Sequence, residues 1–302
     1  MNILSLQNVT YQYEGTKKSV LKDIHTDFET GAKRERRMKS MNKMQLALMK
    51  KDIRGVTSNK QVFSVMLIVP LALTIVLPSI FVFVLTLVPD AASDLEKLLD
   101  MLPLQQSSGS VEQSILWLLL NKIMPVFFLM IPVMSSSVMA ASSFVGEKEK
   151  RTLETLLYSP LTLKQIFQSK ILAGFSISMI ASFISFAAMV VVMEAEALLL
   201  TGSAIPPDPS WLIVMLLIGP AISLVAISIT VRGSAKAQTI EEAQQRAVFL
   251  VFSIIALIIG QFTGVIMVSA WILLALSLVL ALLAAILMKG SVRKFTYESL
   301  FK

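Results

Sequence analysis

The sequence contains no cysteine and only one histidine, His25. The absence of cysteine excludes disulfide bonds, thiolate metal sites and cysteine nucleophiles. An intramembrane protease or another hydrolase would need a general base, a metal cluster or an activated nucleophile inside the membrane, and the long apolar segments carry none. We therefore predict that the chain is not an enzyme and has no catalytic, cofactor-binding or metal-binding residues of its own.

Charged residues are also scarce, at 16% of the sequence, whereas hydrophobic residues make up 55% and the mean hydropathy is +0.73. A membrane-spanning helix needs about 20 mainly apolar residues. Five uncharged runs meet this length: 61–89, 123–146, 171–193, 209–231 and 247–288. The last run would reach about 63 Å as one helix, twice the thickness of the hydrocarbon core, so we predict a turn near 264–270. The predicted fold is an all-α polytopic membrane protein with six transmembrane helices.

The distribution of positive charge predicts the orientation of these six spans. An even number of spans places both termini on one side of the membrane. If that side is the cytoplasm, only Lys97 and Lys122 of the 27 Lys and Arg residues lie outside or at the outer edge. The pI near 9.5 then reflects topology and not nucleic acid binding. We predict a multi-pass protein of a bacterial cell membrane with both termini in the cytoplasm.

Residues 1–31 differ in texture from the rest and have the alternation typical of short β-strands, with Tyr11 and Tyr13 before a turn and Ile24 and Phe28 after it. This segment resembles the opening of an ATP-binding cassette (ABC) ATPase domain, in which an aromatic residue, here Tyr13, stacks on adenine. The phosphate-binding GxxxxGK[ST] loop of that family is missing, so the chain by itself is not expected to hydrolyse ATP. We predict a vestigial ATPase-like fragment.

Residues 32–60 contain ten Lys or Arg and two acidic residues. Met41, Met44 and Leu48 fall near one face of a helix, with basic residues on another. This pattern predicts a cytoplasmic amphipathic helix that lies in the membrane interface before the first span. The alternative is a solvated basic linker. The predicted domains are thus 1–31, 32–60 and the six-helix domain 61–302.

The spans are rich in proline and in small residues. Pro70, Pro125, Pro132 and Pro220 can each kink a helix, and the carbonyls they free need protein or water partners in a membrane. Small residues allow close helix packing, and we interpret the following as residues that pack helices or line a pathway: Ser135, Ser137, Ser178, Ser182, Ser185, Gly260 and Gly264. Their spacing favours packing over a pathway.

A charged segment, residues 144–160 with the sequence FVGEKEKRTLETLLYSP, joins the second and third spans. Its mixture of charges and leucines is typical of a docking element, although an ordinary charged loop would look similar. Pro160 ends this segment, and Thr162 with Gln165 has the spacing of a capping box for the next helix.

The same segment resembles the EKERGTLE-type stretch between spans two and three of type 2 ABC exporter permeases. Lys150 stands where that family commonly has arginine, and Arg151 where it commonly has glycine. The basic helix before the first span and the six-span count also fit, so the resemblance covers residues 38–302. By this resemblance the following residues couple the chain to an ATPase: Glu147, Lys148, Glu149, Arg151, Thr152 and Glu154.

The resemblance implies a permease subunit that uses ATP hydrolysed by separate ATPase subunits, which would bind the ATP and Mg²⁺. It also implies a second permease subunit, as a homodimer or a heterodimer, and no nucleic acid partner. The substrate stays open among lipids, peptides, drugs and sodium. A different class also stays open, namely a non-transporting membrane sensor or immunity protein that recruits a cytoplasmic partner.

Overall fold

The computed structural model describes most of the chain: residues 2–11, 21–29, 32–87, 111–150, 152, 156, 158–159, 161–202, 204–234, 237, 239–262 and 270–294. The chain divides into two compact units, residues 1–47 and residues 48–302. The division into 1–31, 32–60 and 61–302 stays a prediction.

The first unit contains a β-hairpin followed by the start of a long helix. Strands β1 (Asn2–Tyr11) and β2 (Leu21–Glu29) pair in antiparallel fashion, with Leu4 opposite Phe28 and several shifts of register along the ladder. Helix α1 (Ala32–Ser58) follows. The strands lie where the alternating sequence predicts them, while Tyr13 and the turn between the strands lie outside the described residues.

The second unit begins within α1, and the regular secondary structure among its described residues is entirely helical. Its helices are α2 (Lys60–Leu87), α3 (Val111–Leu118), α4 (Met124–Phe128), α5 (Met130–Glu149), α6 (Leu163–Thr201), α7 (Ser210–Ile213), α8 (Gly219–Ser234), α9 (Ile240–Phe262) and α10 (Ala270–Lys294). Two π-helical turns, Leu119–Ile123 and Val214–Ile218, join α3 to α4 and α7 to α8.

Six helical stretches within the described residues are long and apolar enough to cross a membrane: Lys60–Val84, Gln113–Glu149, Leu163–Leu199, Ser210–Ser234, Ile240–Gly260 and Trp271–Ser291. This confirms the predicted all-α polytopic fold with six spans. The fifth predicted run is divided between α9 and α10, as its length requires. Residues 263–269, where the turn was predicted, lie outside the described part.

Both π-helical turns end two residues before a proline, and the missing N–H of Pro125 explains a contact made by Trp211. In a π-helix each carbonyl bonds to the N–H five residues later. Pro125 has no N–H to give to the carbonyl of Leu120. The indole Nε1 of Trp211 donates to that carbonyl instead, at 3.3 Å. The side chain of Trp211 is buried between Phe128 and Phe186.

The carbonyl that a second proline leaves without a donor is hydrogen-bonded by a side chain from another helix. Pro70, inside α2, cannot donate to the carbonyl of Met66 four residues earlier. The hydroxyl of Ser135, on α5, donates to this carbonyl at 3.1 Å. The expectation that freed carbonyls find protein partners is therefore met at Pro70 and at Pro125, and both partners lie on a neighbouring segment of the protein.

The last part of α1 packs on the membrane helices. Leu48, Asp52 and Val56 are buried at intervals of four residues and thus share one face of α1. Val56 belongs to a cluster with Met66 of α2 and with further buried residues, Val138, Met139, Ala173 and Ile177. This packing brings one acidic residue, Asp52, against the ends of α5 and α6.

Candidate functional site

Three helix ends meet around a group of polar side chains that we call the ionic cluster. It consists of Lys51 and Asp52 on α1, Ser143 and Glu147 on α5, and Lys170 on α6. All five belong to the second unit. The apolar faces of α1 and α5 carry these residues inward, since Asp52 follows Leu48 by one turn and Glu147 lies near the buried Phe144 and Val145.

Lys170 is the centre of the cluster, with only 3% of its side chain exposed. Its Nζ atom donates to Asp52 Oδ2 at 3.1 Å, to the backbone carbonyl of Ser143 at 2.6 Å and to Ser143 Oγ at 3.2 Å. Ser143 Oγ donates to the same Asp52 Oδ2 at 2.6 Å. Nζ also lies 5.6 Å from the centre of the Phe144 ring. One ammonium group thus contacts both α1 and α5 from α6.

Glu147 connects the cluster to the chain that follows α5. Its Oε1 atom accepts a hydrogen bond from Lys51 Nζ at 2.6 Å and lies 3.7 Å from Lys170 Nζ. Its Oε2 atom accepts a hydrogen bond from the hydroxyl of Thr152. The backbone N–H of Thr152 donates to the carbonyl of Glu147 at 2.9 Å. The turn after α5 is therefore folded back onto Glu147.

The two pairs in the cluster differ in their surroundings. Asp52 and Lys170 have 4% and 3% of their side chains exposed, whereas 57% of Lys51 is exposed. A buried ion pair loses about 3 to 5 kcal/mol when one partner is removed, because the other charge is left without compensation. A pair with a solvated partner is worth about 0 to 1 kcal/mol. The Asp52–Lys170 pair should therefore make the largest contribution of the cluster to the free energy of unfolding.

A pocket lies beside the cluster and is lined by residues of α1, α5 and the following turn: Lys51, Asp52, Gly55, Val56, Ser142, Ser143, Gly146, Glu147, Lys150 and Thr152. Its two carboxylates already have cationic partners. Among the described residues, no group of three or more His, Asp or Glu side chains is placed to hold a metal ion. The geometry indicates a structural junction between helices.

The segment after α5 presents other residues outward. The N–H of Leu156 donates to the carbonyl of Thr152 at 3.1 Å, and that of Ser159 to the carbonyl of Leu156 at 3.2 Å. These bonds form a short turn on which the side chain of Tyr158 is 90% exposed. Glu149 and Lys150 are exposed as well. The exposed residues at this end of α5 and in the following segment thus include both signs of charge and one large aromatic ring.

The predicted coupling residues therefore fall into different environments. Glu147 is buried and engaged within the protein, and Thr152 is exposed but bonded to it. Lys148 Nζ reaches the carbonyl of Ser234 at 3.4 Å, and Glu149 is exposed. Arg151 and Glu154 lie outside the described residues. The assignment of all six residues to coupling stays a prediction.

The residues predicted to pack helices or line a pathway also differ in their hydrogen bonds. Ser135 and Ser178 make bonds between segments, to the carbonyls of Met66 and Pro132, while Ser137 bonds within its own helix, to Val133. Ser182 and Ser185 are buried on α6 and their hydroxyls have no hydrogen-bond partner. Gly260 lies in α9, and Gly264 lies outside the described residues. The two interhelical bonds support the packing interpretation for Ser135 and Ser178.

Sequence reasoning missed Asp52, Ser143, Lys170 and Tyr158. A signal was present for two of them. Asp52 stands on the apolar face of α1, four residues from both Leu48 and Val56, and Lys170 stands among the apolar residues at the start of α6. A charge at an apolar position predicts a buried partner, although the sequence does not show which residue that partner is.

The thirty-nine residues of α6 begin at a capping box, as predicted. The N–H of Gln165 donates to Thr162 Oγ1 at 3.3 Å, and the N–H of Thr162 donates to Gln165 Oε1 at 2.9 Å. This cap satisfies backbone donors at the first turn. It fixes the point at which the segment after α5 enters α6.

Comparison with known proteins identifies the family of the chain. A family model described as ABC-2 family transporter protein matches residues 106–289, well over half of the chain. No curated protein and no solved structure matches the chain. The matched range includes Ser143, Glu147 and Lys170, whereas Lys51 and Asp52 precede it. The chain belongs to the ABC-2 family of transporter proteins, and it is a membrane permease component of an ABC transporter.

Proposed function

We propose that the chain is the permease subunit of an exporter, driven by ATP that separate ABC ATPase subunits hydrolyse. The observation that carries this proposal is the end of α5 and the segment that follows it, where Glu149, Lys150 and Tyr158 are exposed while the hydroxyl of Thr152 bonds to Glu147. This surface would dock the ATPase. ATP and Mg²⁺ would be bound by that partner.

The docking role follows from the chemistry of the segment. Tyrosine is enriched among the residues that dominate protein–protein binding energies, because it buries a large ring at a small entropic cost. The adjacent charges would select the orientation of the partner. The segment continues directly into α6, which at 39 residues is about 58 Å long. A displacement at the docking surface would therefore reach the opposite end of the membrane domain.

We further propose that two permease subunits assemble, as a homodimer or a heterodimer, to give a twelve-span pathway. Both termini and the docking surface would face the cytoplasm, as the distribution of Lys and Arg favours. Transport would then proceed outward, by alternating access. The described residues show no buried carboxylate group within the middle of the spans, so an external source of energy is the simpler proposal.

The docking proposal is tested with Tyr158→Ala in the detergent-solubilised complex. We expect recovery of the ATPase with the tagged permease to fall at least tenfold, because the exposed ring would be the anchor of the interface. The matched control is Trp271→Ala, which removes another large aromatic side chain with 81% exposure. Trp271 lies at the start of the sixth span, which the predicted topology places on the side of the membrane opposite Tyr158. This control should leave recovery unchanged.

The outcome of the purification separates the two parts of the proposal. Equal recovery of the ATPase with Tyr158→Ala and with the wild type would reject the docking surface. Recovery of no ATPase with the wild-type chain would reject the exporter subunit itself. Outward transport is tested by reconstituting the complex in vesicles and requiring that efflux depend on ATP; ATP turnover without efflux would favour a partner-recruiting membrane protein.

A further inference from the structure

The ionic cluster uses charged groups at a place where apolar packing would serve stability equally well. Asp52, Ser143 and Lys170 are almost fully buried, and buried ion pairs can often be replaced by apolar residues without loss of stability. Their demonstrated use elsewhere is to fix one arrangement of packed elements in preference to others. The arrangement fixed here is that of α1, α5 and α6 at their common end.

The contacts of Lys170 are directional and join separate parts of the chain. Asp52 is 118 residues away from it in sequence, and Ser143 is 27 residues away. The third connection, from Glu147 through Thr152, leads to the proposed docking surface. Lys170 Nζ is 3.7 Å from Glu147 Oε1. Lys170 Nζ thus lies within 4 Å of Asp52, Ser143 and Glu147 together.

We propose that Lys170 is a positioning residue that makes the end of α1, the end of α5 and the start of α6 move as one unit when the docking surface is displaced. This inference rests on the proposed function. Without the ammonium group, α1 would keep its apolar contacts through Val56 but would lose its fixed distance from α6. Movement of the turn at Thr152 would then be only partly transmitted to α1.

The first test measures that distance in the purified chain and requires no ATPase. Because the sequence contains no cysteine, a pair of spin labels can be introduced into one chain at two exposed positions, Arg54→Cys on α1 and Gln168→Cys on α6. We expect one narrow distance distribution for the wild type and a broader one for Lys170→Gln. The control Lys50→Gln makes the same chemical change at an exposed residue of α1 outside the cluster and should leave the distribution narrow.

A second variant keeps the test meaningful if Lys170→Gln fails to fold. The double variant Asp52→Asn with Lys170→Gln removes both buried charges and leaves two amides that can still hydrogen bond. It should fold, and it should show the broad distribution. A narrow distribution in this variant would show that α1 keeps its distance from α6 without the two charges, and the proposal would be overturned.

The second test measures coupling in vesicles that contain the permease–ATPase complex. Efflux of three probes, radioactive sodium, ethidium and a fluorescent phospholipid, is compared with the ATP hydrolysed. For any probe that the wild type moves, we expect the amount transported per ATP to fall at least tenfold in the double variant and to change less than twofold in Lys50→Gln. A purely structural role would lower the amount of complex and leave this ratio unchanged.

The two tests distinguish the failure of this inference from the failure of the proposed function. If the wild type moves none of the probes and binds no ATPase, the exporter proposal fails, while the distance measurement still decides whether Lys170 holds the three helices together. If transport per ATP in the double variant equals that of the wild type, Lys170 has no role in coupling.

Discussion

The hydrogen bond from Ser135 to the carbonyl freed by Pro70 makes a quantitative prediction about stability. In Ser135→Ala the carbonyl of Met66 loses its donor at 3.1 Å and, because Pro70 has no N–H, gains no helical replacement. Hydrogen bonds between membrane helices average about 0.6 kcal/mol and reach about 1.7 kcal/mol. A buried carbonyl left unpaired costs about 1 to 3 kcal/mol. We therefore expect Ser135→Ala to lower the free energy of unfolding by about 1 to 2 kcal/mol.

The same argument predicts that the loss depends on Pro70. In Pro70→Ala the new backbone N–H can bond to the carbonyl of Met66 as in a regular helix. Ser135→Ala in that background should then cost no more than about 0.5 kcal/mol, which gives a coupling energy of about 1 kcal/mol between the two positions. The assay is reversible unfolding in mixed detergent micelles, with the free energy of unfolding determined for all four members of the cycle.

Ser137→Ala is the matched control for this cycle. Ser137 is a buried serine on the same helix, but its hydroxyl donates at 2.6 Å to Val133 within α5. Its replacement should show no coupling to Pro70→Ala. If Ser135→Ala destabilises the protein equally with proline and with alanine at position 70, the hydrogen bond does not compensate for the proline, and the reasoning is refuted.

Two further predictions concern single contacts. Trp211→Phe should lower the free energy of unfolding by about 1 to 3 kcal/mol, because the carbonyl of Leu120 loses its indole donor; the same micelle assay measures it, and Trp271→Phe, at an exposed indole, should be silent. Thr162→Ala should cost about 1 kcal/mol through loss of the capping box. Hydrogen exchange at the first turn of α6 should rise in this variant, and unchanged protection there would contradict a capping role.

The sequence predicted the membrane fold well because the signal for a span is strong and local. A run of about 20 uncharged residues has few stable alternatives to a transmembrane helix, so six spans were predictable from composition and length. The capping box at Thr162 was predictable for the same reason, since its two partners are three residues apart. The resemblance in residues 147–154 identified the family that the family comparison then showed.

The direction in which a side chain points was less predictable. Glu147 was assigned to an ATPase-facing role on its motif, yet its carboxylate is buried between Lys51 and Thr152. Its position at the end of an apolar span is compatible with either orientation. Tyr158 is the most exposed large hydrophobic side chain of the described residues, and its exposure is not predictable because nothing in the sequence distinguishes an exposed tyrosine from a packed one.

The sequence alone determined the number of spans and the family, because both depend on residues close together in the chain. The tertiary structure alone decided that Lys170 meets Asp52 across 118 residues and that Ser135 reaches the carbonyl freed by Pro70 across 69. Apolar helices can pack in several ways of similar energy, and the partner of each buried polar group becomes defined only when one packing is selected.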